Sequence, residues 1–287
     1  MKPARFDYHR PASIDEAIAV LARYDGEARI LAGGQSLVPM MNFRIATPAA
    51  LVDINRIAAL AHITVEGDIV RVGAMTRQRE IEHSPVIKEK LPLLAEAIRL
   101  VGHLPTRSRG TVGGSIAHAD PAAEIPMVLV ALDGEVVAKG PKGERHIAAR
   151  DLFQDALTTS LSSDEVLTEV RFPVMPANAG CALEEFSRRH GDFALTAIAA
   201  VIVRDGDKCT RAQLATGGVE PAPRRQSAAE AILMERGLGE EAIAAAAAKA
   251  AEGVEPLSDH HASGDYRRHL TRVLLERAVK RAIGARS

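Results

Sequence analysis

Residues 32–37 read AGGQSL, and residues 111–116 read TVGGSI. Both stretches join two adjacent glycines to hydroxyl side chains, and both lie in apolar surroundings. Glycine adopts backbone angles closed to other residues and leaves no Cβ in front of a ligand. Consecutive backbone N–H groups in such a turn can converge on one anion, and a Ser or Thr hydroxyl adds a further donor. One Gly-Gly turn is as often plain punctuation between two elements, but two matching turns favour two halves of one cradle for a diphosphate.

The usual nucleotide-binding patterns are absent from these loops. The chain has no G-K-S or G-K-T sequence, which argues against ATP hydrolysis by a P-loop, and neither loop has the G-x-G-x-x-G spacing of a Rossmann turn. Leu37, Met40, Met41 and Arg44 indicate a helical turn behind the first loop, whose dipole favours the same negative charge. The residues alone therefore predict a nucleotide-diphosphate binder that is neither a P-loop nor a Rossmann protein.

Composition indicates an ordinary globular protein. The 287 residues are 47% hydrophobic and 25% charged, and one to three domains are expected for this length. A net charge of -1 gives no field directed at nucleic acid or an anionic membrane. No apolar run is long enough to span a bilayer. The N-terminal residues MKPARFDYHRPAS do not resemble a secretory signal, so a cytoplasmic chain is expected.

Cysteine and histidine usage argues against a metal site. Cys181 and Cys209 are the only cysteines, and no C-x-x-C pair occurs. The chain therefore cannot ligate an iron–sulfur cluster or a structural zinc ion through its cysteines alone, and buried thiols are predicted. Asp259, His260 and His261 are adjacent, so their side chains point in different directions. This trio predicts a solvated turn, and no metal-binding residue is predicted.

The first 57 residues predict a β-α-β arrangement. Ser13 and Glu16 form a capping box ahead of a helix with Ile14, Ala17, Ile18 and Leu21 on one face. Strands are predicted at residues 28–32, which lead into the first Gly-Gly pair, and at residues 50–54.

The remaining chain predicts a larger mixed region and a C-terminal unit. A hairpin is predicted at residues 63–72, with a Gly-Asp turn at 67–68. Further predicted elements are a helix capped by Thr76, a helix at 91–101, and strands at 127–132, 135–138, 164–172, 197–204 and 213–216. The last two predicted helices cover residues 240–251 and 270–282. Residues 173–180 (PVMPANAG) form the clearest domain boundary, because they are rich in Pro, Gly and small residues.

Longer segments around the two loops carry a family resemblance. The string AGGQSLVPMMNFRIATPAALVDI, followed by TVGGSIAHADPAAEIP, resembles the FAD-binding medium subunit of the molybdenum hydroxylases. That family includes carbon monoxide dehydrogenase, xanthine dehydrogenase and bacterial dehydrogenases of N-heterocycles. Family-like pieces at residues 72–76, 165–173, 188–194 and 262–267 follow in the family's order and span nearly the whole chain.

The resemblance implies an α+β fold with two lobes of the vanillyl-alcohol-oxidase (PCMH) type and a small C-terminal α+β domain of the CO dehydrogenase flavoprotein type. The lobes are expected at residues 1–57 and 58–175, and the C-terminal domain at residues 176–287. FAD is expected to bind non-covalently, with its pyrophosphate held by the two glycine loops. The loop residues implied as contacts are Ala32, Gly33, Gly34, Gln35, Ser36, Leu37, Thr111, Gly113, Gly114 and Ser115.

Four residues outside the loops are also implied as contacts. Asp120 and Glu124 resemble positions from which the family binds sugar and ribityl hydroxyls, a task suited to carboxylate acceptors. Leu167 and Phe193 resemble apolar and aromatic neighbours of the flavin ring. Asp120 serves equally well as a helix N-terminal residue before a proline, and an ordinary core aromatic is an equal alternative for Phe193.

Two basic-residue questions remain. Relatives often carry a Lys shortly before Arg188, whereas this chain has Glu184-Glu185-Phe186. Whether Arg188 or Arg189 lies near the flavin is therefore open. His118 follows the second loop, and a surface or packing role is expected for it rather than covalent attachment of flavin.

The resemblance implies an oxidoreductase subunit without a catalytic residue of its own, because FAD supplies the chemistry. Electrons are expected to come from iron–sulfur clusters on a small subunit, after oxidation of substrate at a molybdopterin cofactor on a large subunit. FAD then passes them to an external acceptor, and a dimer of heterotrimers is expected. The alternative is a self-sufficient flavin-dependent oxidoreductase acting on a small organic substrate. A third interpretation is binding of another nucleotide for structural or regulatory reasons.

Overall fold

Three β-sheets and a two-stranded ribbon organise the computed structural model, which describes residues 1–206 and 208–284. The strands are β1 (Asp7–His9), β2 (Ala28–Leu31), β3 (Ala50–Asp53), β4 (Ile63–Glu66), β5 (Ile69–Gly73), β6 (Glu135–Gly140), β7 (Gly143–Ala148), β8 (Phe153–Asp155), β9 (Thr158–Thr159), β10 (Val166–Pro173), β11 (Ala179–Phe186), β12 (Thr196–Asp205), β13 (Lys208–Gly217) and β14 (Arg224–Arg225). The helices are α1 (Ile14–Arg23), α2 (Leu37–Asn42), α3 (Gln78–His83), α4 (Pro85–Lys90), α5 (Pro92–Ala97), α6 (Leu104–Arg109), α7 (Val112–His118), α8 (Glu124–Ala131), α9 (Ala149–Leu152), α10 (Ser227–Arg236), α11 (Glu240–Gly253) and α12 (Gly264–Gly284).

The first sheet is parallel, with strand order β1-β3-β2. The predicted helix α1 is confirmed, and the Ser13 hydroxyl accepts the Glu16 N–H at 3.2 Å. The Glu16 carboxylate accepts from the N–H of Ala12 at 2.8 Å rather than from that of Ser13. The donor of the second hydrogen bond of the capping box is therefore the residue before the N-cap. The core of this unit includes Met75 and Val166, which come from later in the chain.

The second sheet has the order β4-β5-β10-β6-β7, and its neighbouring strands are antiparallel. The predicted hairpin of β4 and β5 and the predicted strand β10 are confirmed. The strand predicted at residues 127–132 is wrong, because these residues belong to helix α8. All eight residues of α8 are buried, and an uninterrupted apolar run cannot distinguish a buried strand from a buried helix.

Two further helix predictions need correction. The helix predicted at residues 91–101 ends at Ala97, and a turn follows it. Helix α3 is capped by Arg77, whose N–H donates to the Glu80 carboxylate at 3.0 Å. The Thr76 hydroxyl instead donates to the carbonyl of His62 at 3.0 Å, and so holds the start of β4.

The third sheet has the order β11-β12-β13-β14 and separates two hydrophobic cores. Alternate residues of a strand face opposite sides of its sheet. Leu183 of β11 therefore faces the large core of the second sheet, whereas Ala182 faces the core formed with α10, α11 and α12. The predicted strands β12 and β13 and helices α11 and α12 are confirmed. Strand β11 and helix α10 were not predicted.

The Asp259-His260-His261 stretch is a turn, as predicted. Its Asp259 carboxylate accepts the N–H groups of His261 and Ala262 at 2.8 and 2.9 Å, and also the guanidinium of Arg267 at 2.7 Å. Cys209 is buried and Cys181 is half-buried.

We propose dividing the chain into units of residues 1–57, 58–175 and 176–287, because each cut falls between strands of different sheets. Within residues 1–206 and 208–284, no helix is both long enough and apolar enough to cross a bilayer.

A carboxylate on the second sheet predicts acid sensitivity. Glu169 is 5% exposed and is bound by Arg71, Arg171 and His62, whose contacts hold its pKa at about 2. Because the pKa of Glu169 is lowered in the native state, its ionisation stabilises that state above about pH 4.5. This contribution is lost as the pH falls toward about 2. We expect the free energy of unfolding of wild type to exceed that of Glu169→Gln by about 2 kcal/mol at pH 6, with allowance for the partly exposed partners of Glu169. This difference in stability should disappear near pH 2.

Urea unfolding of both proteins across this pH range tests the expectation. The exposed pair of Glu89 with Lys90 provides the matched control, since Glu89→Gln should follow wild type at every pH. A constant gap between wild type and Glu169→Gln would show that the network contributes nothing through this ionisation.

Candidate functional site

The first glycine loop connects β2 to α2. Gly34 has φ +73°, a left-handed conformation that favours glycine. The backbone N–H groups of residues 33–36 donate no hydrogen bond to any described residue. The Ser36 hydroxyl occupies the N-cap of α2 without capping it. Buried or half-buried N–H groups are normally paired, so this run of four donors is suited to an external acceptor.

The second glycine loop differs from the first in its backbone. Gly113 and Gly114 lie in the first turn of α7, and Thr111 is the N-cap. The N–H of Gly113 donates to Ala74 at 2.9 Å, and the N–H of Gly114 donates to the Thr111 hydroxyl at 3.0 Å. This loop therefore offers the hydroxyls of Thr111 and Ser115, which can still donate, rather than a run of unpaired N–H groups.

The two loops touch each other. A Cβ on Gly33 would lie 2.4 Å from the carbonyl oxygen of Arg109, and a Cβ on Gly114 would lie 3.8 Å from the Cβ of Ala32. The absence of a side chain at Gly33 thus allows close approach of two segments that are some eighty residues apart. The predicted loops form one cradle in space.

Two residues that were not predicted brace this cradle. Asn55 donates to the carbonyl of Ala32 at 2.9 Å, and Arg77 donates to the Asn55 side chain and to the carbonyl of Arg109, each at 2.6 Å. The chain of bonds ties one loop to the other. Burial and the nearby Arg109 cation lower the pKa of Arg77. The Arg77 guanidinium, tied to the first loop through Asn55, and the four unpaired N–H donors fit a diphosphate such as that of FAD.

Beyond the second loop, the chain places two carboxyl groups ahead of α8. Asp120 accepts the N–H of Ala122 at 2.9 Å in the turn ahead of α8. The N-cap of α8 is Ala123, so Asp120 is not the N-terminal residue of that helix. Glu124 is the first residue of α8 and is 9% exposed. Burial, and then the charges of Glu185 and Asp120, raise the pKa of Glu124 to about 8. Burial alone raises the pKa of Glu185 to about 7.

The other residues considered from the sequence differ in how deeply they are buried. Leu167 is 5% exposed on β10 and belongs to the core of the second sheet. Phe193 is 68% exposed, which excludes the core-aromatic alternative. His118 ends α7 and is half-buried. Arg188 is exposed and lies 3.3 Å from the His261 ring. No group of three metal-ligating side chains occurs among residues 1–206 and 208–284.

The buried carboxyls predict the alkaline side of the stability profile. Glu124 and Glu185 have raised pKa values, so the native state keeps protons that the unfolded chain releases. Stability is therefore greatest below about pH 4.5 for these groups and falls as pH rises to about 8. We expect the free energy of unfolding of Glu185→Gln, relative to that of wild type, to be higher by about 1.5 kcal/mol at pH 8 than at pH 5. This figure allows for the partial exposure of Glu185.

Chemical unfolding at both pH values provides the measurement. Glu184→Gln is the control, because Glu184 points to the opposite face of β11 and pairs with Arg281 at 2.9 Å. Identical pH profiles for Glu185→Gln and wild type would contradict the expectation.

Two protein families match the chain. Residues 4–175 match the FAD binding domain in molybdopterin dehydrogenase, and residues 181–282 match the CO dehydrogenase flavoprotein C-terminal domain. An FAD-binding domain is therefore present, and it contains both glycine loops.

Individual relatives agree with these matches. The chain is 42% identical to the 6-hydroxypseudooxynicotine dehydrogenase complex subunit alpha of Paenarthrobacter nicotinovorans, covering 99% of this chain and 96% of that protein. It is 37% identical to the carbon monoxide dehydrogenase medium chain of Hydrogenophaga pseudoflava, covering 98% of each. A solved structure of carbon monoxide dehydrogenase from the same organism superimposes with a TM-score of 0.98 at 39% identity, covering all of both chains.

Proposed function

This chain belongs to the FAD-binding medium subunits of the molybdenum hydroxylases, and from that premise we propose that it carries electrons within a larger dehydrogenase. The proposed route begins at iron–sulfur clusters of a partner subunit and ends at an external acceptor. The relatives are named as dehydrogenases and as subunits of complexes, which makes this chain an oxidoreductase component.

One observation carries the proposal at the level of residues. The N–H groups of residues 33–36 find no acceptor among the described residues, and the second loop is held against them by Asn55 and Arg77. A flexible diphosphate requires donors from more than one side, and a cradle whose donors are fixed in advance binds it with little loss of conformational entropy. This arrangement supports binding of the FAD diphosphate between the loops.

FAD, when bound, supplies the redox chemistry, because it accepts and releases electrons singly or in pairs. The chain contributes binding and orientation. Backbone N–H groups of the first loop and the hydroxyls of Ser36, Thr111 and Ser115 would hold the diphosphate, and Asp120 and Glu124 would accept from hydroxyls of the cofactor. We propose as contacts the full set predicted from the sequence: Ala32, Gly33, Gly34, Gln35, Ser36, Leu37, Thr111, Gly113, Gly114, Ser115, Asp120, Glu124, Leu167 and Phe193.

Partner subunits complete the proposal. Two cysteines cannot ligate an iron–sulfur cluster by thiolates alone, so electrons must reach this chain from elsewhere. We propose a large molybdopterin subunit and a small iron–sulfur subunit, assembled as a dimer of heterotrimers with non-covalent FAD. A cytoplasmic location stays a prediction.

Two measurements test the function. The purified chain is incubated with FAD and desalted, and the retained flavin is measured by absorbance before and after acid precipitation. We expect retained flavin that acid releases intact. The chain is then purified from its native host by an affinity tag, and we expect it to bring down iron, molybdenum and two further polypeptides.

Other outcomes distinguish the alternatives. Turnover of an organic substrate by the lone chain would support the self-sufficient oxidoreductase. Tight binding of ADP or NAD with no binding of FAD would support the structural or regulatory interpretation. A tagged native chain that carries no iron and no partner would contradict the assembly.

A further inference from the structure

Arg77 lies at the junction of the two glycine loops. Its backbone forms an antiparallel bridge with that of Thr111, which is the N-cap residue of α7 and the first residue of the second loop. The N–H of the next residue, Gln78, donates to the carbonyl of Gly110 at 3.0 Å. The main chain at Arg77 is therefore fixed against the second loop.

The side chain of Arg77 reaches the first loop through both of its acceptors. Its guanidinium donates to the Arg109 carbonyl and to the Asn55 side chain, each at 2.6 Å. The Arg109 carbonyl oxygen is the atom nearest to a Cβ built on Gly33. Asn55 donates in turn to the carbonyl of Ala32 at 2.9 Å. One residue thus contacts the second loop by its backbone and lies one hydrogen bond from the first.

The positive charge of Arg77 has no counter-ion in the described part of the chain. Arg77 is half-buried, and no carboxylate oxygen of residues 1–206 or 208–284 lies within 4.0 Å of its guanidinium nitrogens. The Glu80 carboxylate accepts from the backbone N–H of Arg77, and the Asp53 carboxylate is held by Tyr8 and Asn55. A charge partly withdrawn from water is favoured by an opposite charge beside it. Two of the five guanidinium N–H donors are used, so three can bind an external anion.

The first loop presents a second and different set of donors. The N–H groups of residues 33–36 donate to no described residue, and this run begins at Gly33, beside the carbonyl to which Arg77 is bonded. A run of backbone N–H groups binds one phosphate in a concave turn, whereas a guanidinium binds phosphate oxygens through parallel N–H donors. Two kinds of phosphate-binding group close together fit two linked phosphates better than one.

We propose that Arg77 binds one of the two phosphates of the cofactor and makes the cradle select FAD over FMN, which has a single phosphate. This assignment rests on the proposed function, because it adds a residue to the same FAD site. The N–H groups of residues 33–36 can serve one phosphate of either flavin, so they do not distinguish the two. Only FAD provides a second phosphate for the Arg77 guanidinium.

Two substitutions separate the charge of Arg77 from its bracing hydrogen bonds. Arg77→Lys keeps the positive charge, Arg77→Gln keeps an uncharged N–H donor, and neither keeps the two-ended guanidinium fork. The dissociation constants of FAD and FMN are measured for the full chain by quenching of flavin fluorescence. We expect FAD affinity to fall about 30-fold in Arg77→Gln and about threefold in Arg77→Lys, as for the loss of one charge-assisted hydrogen bond. FMN affinity should change by less than about twofold.

Ionic strength provides a readout that a purely structural role would not change. FAD affinity of wild type and of Arg77→Lys should fall several-fold between low salt and about 0.3 M salt, because added ions screen the attraction. The decrease should be much smaller in Arg77→Gln. Arg79→Gln is the matched control, since Arg79 is exposed on α3 two residues away, and it should follow wild type in every measurement.

Melting curves of the apoproteins accompany each titration. Equal FAD affinities of Arg77→Lys and Arg77→Gln, or equal losses for FAD and FMN in Arg77→Gln, would overturn the assignment and leave Arg77 as a brace between the loops. If Arg77→Gln does not fold, wild type answers the question: a preference for FAD over FMN that salt reduces supports the assignment, and a preference that salt leaves unchanged overturns it. Failure of wild type to bind FAD at any ionic strength would instead overturn the proposed function.

Discussion

Replacing Gly33 by alanine is expected to lower FAD affinity by up to about 100-fold. The added Cβ would lie 2.4 Å from the carbonyl oxygen of Arg109 and 2.9 Å from the Cα of Gly110. Both are backbone atoms, so the new methyl cannot be accommodated by a rotamer change and the loops must separate. Such overpacking costs about 1–3 kcal/mol, and a cost at the upper end of that range corresponds to about 100-fold in the dissociation constant of FAD.

The measurement is retained flavin after desalting, with a melting curve of the apoprotein to separate binding from folding. Gly239→Ala is the matched control, since a Cβ there has no neighbour within 4 Å and φ is -70°. Wild-type flavin content in Gly33→Ala would show that the contact between the loops is not part of the FAD site.

Replacing Arg267 by methionine is expected to give the largest loss of stability, about 3 kcal/mol. Arg267 is 6% exposed, and its guanidinium donates to the carbonyls of Leu195 and Gly218 and to the Asp259 carboxylate. The substitution leaves the carbonyls of Leu195 and Gly218 without this donor, and each unpaired buried acceptor costs about 1–3 kcal/mol. Asp259 keeps its backbone donors from His261 and Ala262. Calorimetry should show a melting temperature lower by about 6 °C.

The effect should reach the FAD site as well. The N–H of Gly218 donates at 2.7 Å to the carbonyl of Pro121, which lies between Asp120 and Glu124. Loss of Arg267 therefore loosens the segment that carries both carboxyls, and FAD affinity should weaken several-fold. Arg268→Met is the control, because Arg268 forms an exposed pair with Asp265, and its melting temperature should stay near wild type. Equal melting temperatures of both variants would contradict the assigned role of Arg267.

Sequence periodicity predicted those elements that have one buried face. Helix α1 buries one face of an amphipathic pattern, and the β4–β5 hairpin has a clear turn. The apolar run of α8 predicts a strand, because burial on all sides removes the periodicity that distinguishes a helix from a strand. Strand β11 was missed because it lies between two cores, and alternation between polar and apolar residues is lost when both faces of a strand are buried.

In the candidate site, the sequence predicts the groups formed by adjacent residues but not those formed by residues that are distant in the chain. The glycine loops were recognised because their chemistry is contained in a few adjacent residues. The brace of Asn55 and Arg77 joins residues from distant parts of the chain. Only packing brings such residues together, and no local pattern records it.

The core beneath the first sheet has a consequence for biosynthesis. It contains Val166 of β10, so the segment that leaves the ribosome first cannot complete its own interior until the chain has been translated beyond that strand. Contacts that are distant in sequence form slowly, and exposed apolar surface on a nascent chain invites aggregation. The AGGQSL segment therefore reaches its native surroundings only after β10 has emerged from the ribosome.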